Sequence, residues 1–196
     1  MIKLLHLIFL FMILACNDYN QLPKPNAYLS LDYPLTNYST DKFYPKDITL
    51  QYNSSVSNIE SINNSNNLIS KRINYKKHNA NILIDLHEIN NNTDLSRILN
   101  ELNDFTNIHL KKKNSVINVQ EYKNESQRLY ASIIKIKGDV TSPYQFYITD
   151  SLKNMITASV RYNKSIKYDS VLPSLKYIEK DIYHLIETLT WNSKND

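Results

Sequence analysis

Glycine and cysteine are almost missing from this chain, with one of each, Gly138 and Cys16, in 196 residues. A lone cysteine cannot close an internal disulfide, so the body must fold on packing alone, and paired-cysteine metal motifs are excluded. The scarcity of glycine removes the Gly-rich phosphate loop and the Gly-x-Ser-x-Gly elbow of serine hydrolases. Strong charge is lacking too. The formal net charge is +4, and without Lys3 the remaining chain has 22 basic against 19 acidic side chains. No concentrated basic face of the kind a dedicated nucleic-acid binder needs is evident. No apolar run approaches the ~20 residues required to cross a bilayer. What the chain does have is Asn, Lys, Ile and Tyr, the signature of an AT-rich genome, and 42% hydrophobic residues, enough for one domain of ordinary size with its own core.

The first fifteen residues read as a secretory signal. Lys3 supplies the early positive charge, and an apolar run from Leu4 to Leu14, broken by His6, follows. The run ends in Ile13-Leu14-Ala15-Cys16, which resembles the lipobox of bacterial lipoproteins. The resemblance implies cleavage after Ala15 and acylation of Cys16, which becomes the mature N-terminus. Two or more acyl chains, at ~0.8 kcal/mol per buried methylene, make a stable anchor. Residues 16–27 form a polar tether stiffened by Pro23 and Pro25, with a reach of at most ~35 to 40 Å. Asp18 is the only acid near the anchor, which tilts the expected location toward the periplasmic side of the envelope, with inner or outer membrane left open. Residues 28–191 make a single domain and 192–196 a polar tail.

Along the body, short strands are expected at Tyr28 to Tyr33 and Asp47 to Tyr52. The Ser- and Asn-rich stretch from Asn53 to Asn67 reads as a mobile loop or weak helix. Alternation of Ile82, Ile84 and Leu86 marks a strand over Asn81 to His87. A helix from about Asp94 to Leu110 shows Leu95, Ile98, Leu99, Leu102, Phe105 and Ile108 on one face, and Lys111 to Lys113 complement its carboxyl end. Four strands follow: Ser115 to Tyr122, Leu129 to Ile136, Tyr144 to Thr149, and one around Met155 to Tyr162. The second has apolar residues on both parities and is expected to be central. Leu175, Ile178, Ile182, Leu185 and Leu189 then form the single buried stripe of a closing helix. Strands, helix, four strands and helix predict an α+β domain, a mainly antiparallel sheet with two packed amphipathic helices.

Three segments, LPKPNAYLSLDYP, LYASIIKIKGDVTSPYQFYITDS and DSVLPSLKYIEKDIYHLIETLTW, resemble the GldD family of gliding-motility lipoproteins, most densely from Leu129 to Trp191. The resemblance implies a membrane-anchored lipoprotein of Bacteroidetes, required for gliding and associated with the type IX secretion machinery through contacts with its protein subunits. It brings no catalytic residues and no cofactor.

Several polar groups invite chemistry. Asp181, His184 and Glu187 lie three residues apart on the closing helix and spread over about 120° of its surface. A metal or acid/base site would need a fourth group, such as Asp150 or His87, to converge on them; otherwise they are flanking residues that bond neighbouring strands. Asp150-Ser151 reads as a turn, and Gly138 as a positive-φ position where a long strand ends. His78 with Lys76 and Lys77 reads as a solvated loop. Tyr130, Tyr144, Tyr147, Tyr162, Tyr168, Tyr177 and Tyr183 offer either an exposed partner face or ordinary packing, and Trp191 is expected to pack at a sheet edge. Two further functions remain beside the motility component: an envelope binding module with a cleft for a small ligand or peptide between sheet and helix, and a metal-dependent hydrolase using Asp181, His184 and Glu187.

Overall fold

The computed structural model describes residues 31, 33–65, 68–110, 115–164 and 166–191. The elements in chain order are β1 (Tyr38–Lys42), β2 (Ile48–Asn53), β3 (Asn58–Asn64), β4 (Leu68–Tyr75), a 3-10 turn (Lys76–His78), β5 (Ala80–Glu88), α1 (Asn92–Leu110), β6 (Val116–Asn124), β7 (Leu129–Lys137), β8 (Tyr144–Thr149), β9 (Asn154–Tyr162), α2 (Tyr168–Thr188) and β10 (Thr190–Trp191). They form a seven-stranded sheet, β3-β4-β5-β9-β8-β7-β6, and a three-stranded sheet, β1-β2-β10. Every pairing is antiparallel. The expected α+β class holds.

The register explains the layering. Ile82 faces Val160, Ile84 faces Ala158 and Leu86 faces Ile156, while Phe146 stands between Ala158 and Ile133. Because side chains alternate along a strand, these residues share one face of the large sheet. They join Phe43 of the β1–β2 connection, Ile48 and Leu50 of β2, Leu175, Ile178, Ile182 and Leu185 of α2, and Leu189 just past its end, in one core. All five stripe residues are at most 1% exposed, so α2 seals the core as its spacing predicts. Burying each side chain contributes roughly 1.5–3 kcal/mol.

The opposite face carries α1. Its N-terminus is fixed by Asn91, whose Oδ1 accepts the Asp94 amide at 2.9 Å. Ile98 and Thr106 are its buried side chains among the described residues, and Ile108 is exposed. The expected six-residue apolar face is therefore only partly used. The second face of the sheet is semi-polar there, with Gln145 accepting from Thr106 at 2.8 Å and Arg161 over the Phe105 ring at 5.2 Å.

Three expectations are corrected. The Ser/Asn-rich stretch read as a loop contains β3, which pairs with β4; its backbone bonds replace the apolar side chains it lacks. The strand at Leu129 to Ile136 is one position in from the edge, and β9 holds the centre. β7 is nonetheless covered on both faces, because burial follows the layers above and below a strand, not its rank in the sheet. Of the strand expected at Tyr28 to Tyr33, Leu31 and Tyr33 are described and neither is in a strand. The leader, Ala15, Cys16, the tether, Lys111 to Lys113 and the tail lie outside the described residues.

Candidate functional site

The most connected polar group of the interior is Asp181. It sits on the core side of α2, between the buried Ile178 and Ile182, because its position falls within the helix's apolar stripe. Its carboxylate accepts hydrogen bonds from Tyr38 Oη at 3.0 Å, Tyr75 Oη at 3.0 Å and Asn53 Nδ2 at 3.2 Å. Burial pushes its pKa up, and the three donors, together with His184, oppose that rise. In return, burial beside the carboxylate pushes Tyr38 up to about 12 and Tyr75 well above its usual value. The donors come from β1, β2 and β4, so a single carboxylate ties the small sheet, the large sheet and the closing helix together.

His184, one turn on, stacks on the Tyr38 ring at 3.5 Å and meets Gln51 Oε1 through Nε2 at 2.8 Å. Glu187 is exposed. Hence Asp181 and His184 both work against the β1–β2 hairpin, while Glu187 does not join them. The two candidate fourth groups are engaged elsewhere. His87 bonds Thr157 Oγ1 at 3.0 Å beneath α1, where burial lowers its pKa. Asp150 Oδ1 accepts the amides of Leu152, Lys153 and Asn154 at 2.8 to 3.0 Å, the turn role its sequence suggested. Ser151 takes φ 61° in that turn. Among the described residues no three His, Cys, Asp or Glu side chains gather as a ligand set.

His78 was not legible as a core residue. It is 2% exposed, stacked on Tyr177 with ring centres 5.7 Å apart, and its Nδ1 meets Ser174 Oγ at 2.9 Å. Burial, then the charge of Lys77, pulls its pKa down. The neighbouring Lys76 and Lys77 are exposed, as expected of the turn. Lys71 was missed as well: it lies on the core face of β4, 5% exposed, paired with Asp41 and 5.2 Å from the centre of the Phe43 ring. Of the seven tyrosines, Tyr144 and Tyr162 are buried and Tyr130, Tyr147, Tyr168, Tyr177 and Tyr183 half-buried. Trp191 is half-buried in β10, its Nε1 donating to the Arg128 carbonyl at 3.2 Å.

Two clefts lie away from the core side of α2. One of about 200 Å³ under α1 is lined by Asp85, His87, Glu101, Phe105 and Arg161, among others. Another, about 590 Å³, opens where β4 and β9 end and β5 begins, with Arg72, Lys76 and Arg161 beside Asn74, Asn79, Asn81 and Asn163.

Fold and site together define a two-sheet α+β body whose buried polar network joins structural elements. The chain belongs to the gliding motility lipoprotein GldD family, whose model matches residues 18–191. No curated protein and no solved structure matches it. Membership places it among membrane-anchored lipoproteins of the cell envelope. No helix among the described residues is long and apolar enough to cross a membrane.

Proposed function

We propose that the protein is anchored through acylated Cys16, cleaved after Ala15, and works as a non-enzymatic structural or assembly component of the gliding and type IX secretion apparatus on the periplasmic side of the envelope. The domain spans residues 28–191 and the tether 16–27. The observation that supports the reading is Asp181: its carboxylate, with His184 beside it, is spent internally, holding the β1–β2 hairpin to the closing helix, where a reactive carboxylate would need an open side. Such a network keeps the surface in one fixed shape, which suits protein contacts. A second reading, a module binding a small ligand or peptide, is favoured by the 590 Å³ cleft at the β4–β5 turn.

Isolation of the native lipoprotein from detergent-solubilised envelopes tests the choice. Co-isolation of motility or secretion subunits is expected. Recovery of the protein alone with a bound small molecule would replace the first reading by the second. A Cys16→Ser variant is expected in the soluble fraction with motility and secretion lost; soluble protein with both processes intact would overturn the anchored component.

A further inference from the structure

The described chain begins beside one end of the large sheet. The Tyr33 ring lies 5.7 Å from His78 and 5.4 Å from Tyr177, and Tyr177 Oη donates to the Pro34 carbonyl at 3.0 Å. Since His78 closes the 3-10 turn between β4 and β5, the chain joins the body at that turn. The same end exposes Lys76, Lys77, Arg161, Lys164 and Lys167, from the turn, the end of β9 and the approach to α2. Acids there are fewer: Asp139, which accepts the Tyr168 amide at 2.9 Å, Asp169 at the start of α2, and Glu60, paired with Arg72 at 3.0 Å.

The larger cleft opens at this end. Register sets Asn74 opposite Asn81 and Asn81 opposite Arg161, so two amides and a guanidinium stand in a row across three strands. The guanidinium is oriented in advance by the Ser159 hydroxyl, which accepts from Nε at 3.0 Å, and by the Phe105 ring. Among the described residues lining the cleft there is no carboxylate. Glu60 already holds Arg72 and Asn74 at the rim of the cleft; the other cations, Lys76 and Arg161, with the Asn79 and Asn81 amides, suit phosphate oxygens.

We propose that this basic end docks on the anionic headgroups of the leaflet that holds the anchor, with the cleft between β4, β5 and β9 receiving a lipid phosphate. The proposal rests on the anchored reading of Cys16. Seventeen residue steps separate Cys16 from Tyr33, at most ~60 Å of chain, so the anchor holds the basic end within reach of the surface without pressing it there. Charge supplies the rest. Each cation near an anionic surface raises the docked-to-free ratio by roughly fivefold, and the attraction fades within a Debye length, ~10 Å at 0.1 M salt.

The test uses the acylated full-length protein isolated from membranes and carrying Asn58→Cys, an exposed site at this end outside the cleft, labelled with a fluorophore. It is reconstituted into vesicles of phosphatidylcholine alone or with phosphatidylglycerol, with an energy acceptor on the headgroups. Stronger transfer in the anionic vesicles is expected, with the docked-to-free ratio falling roughly 25-fold in a Lys76→Gln, Arg161→Gln variant. Equal transfer in both vesicles, or transfer undiminished in that variant, overturns the proposal. So does loss of the label's accessibility to a soluble anionic glycan but not to anionic lipid. Labelling of protein without the added cysteine would report a free Cys16 thiol, which sinks the anchor reading and is distinguishable from failure of docking.

Discussion

At the scale of single residues, Asp181 and Gly138 carry the sharpest consequences. Asp181→Ala would leave two tyrosine hydroxyls and an asparagine amide facing an apolar gap, and a loss of about 3 kcal/mol in denaturant unfolding is expected. Asp181→Asn separates charge from shape. Because burial raises the folded-state pKa of Asp181 above its ordinary 3.8, the folded state holds its proton more tightly than the unfolded chain. The stability from this group is complete below the unfolded pKa and is lost as pH rises through the folded one. The wild type should therefore gain stability relative to Asp181→Asn as pH falls from 7 toward 4. A gap that narrows on acidification would mean that the three donors, and not burial, dominate the site. Gly138 has φ +139°, and a Cβ placed on it would lie 2.8 Å from Ser115 Oγ and 3.3 Å from Ser115 Cα. Gly138→Val is expected to destabilise by more than about 1 kcal/mol, through backbone strain as well as contact. An unchanged melting temperature would refute that. This position could be read from sequence because one glycine at a strand end has few other uses. Asp181 was visible as a polar residue, but its role was hidden, since the partners Tyr38, Asn53 and Tyr75 are more than 100 positions away.

At the scale of elements, the two helices look alike in sequence and differ in the fold. Both repeat apolar residues at intervals of three and four, yet Ile178 of α2 is fully buried while Ile108 of α1 is 61% exposed. Ile178→Ala should cost about 2–5 kcal/mol, and Ile108→Ala less than about 0.5 kcal/mol, both read as shifts of the urea midpoint at constant slope. Similar costs for the two would mean that α1 is seated far more deeply than its side chains indicate. Periodicity reports which face of a helix is apolar, but the depth of its seat depends on what the sheet presents. Under α2 that is Ile and Phe; under α1 it includes Gln145, Ser159 and Arg161. β4 escaped notice for a related reason. Its inward row, Ile69, Lys71, Ile73 and Tyr75, is interrupted by a lysine, and only the tertiary pairing with Asp41 makes that lysine a core residue. The hairpin with β3 was then obscured by composition, since Asn58, Ser61, Asn63 and Asn64 pair through their backbones.

At the scale of the whole molecule, the order of strands predicts an order of opening. β5 and β9 pair along nine consecutive residues each and have strands on both sides, so their amides are doubly shielded, by neighbours in the sheet and by the core. β3 and β6 form the two edges, and both are largely exposed along their lengths. Opening an edge strand breaks one ladder and uncovers little apolar surface; opening β9 breaks two and empties the core. Native-state hydrogen exchange should therefore find the slowest amides in β5 and β9, exchanging only on global unfolding, and faster exchange in β3, β6 and α1 by local opening. The β1–β2 hairpin should behave as part of the slow body, because Tyr38 and Asn53 bind it to Asp181, and Asp181→Ala should move it selectively toward the fast group. Uniform protection across the seven strands would show that the domain opens only as one unit. A hairpin whose exchange ignores Asp181→Ala would show that its hold comes from Phe43, Ile48 and Leu50 in the core, and that the polar network adds register without adding stability.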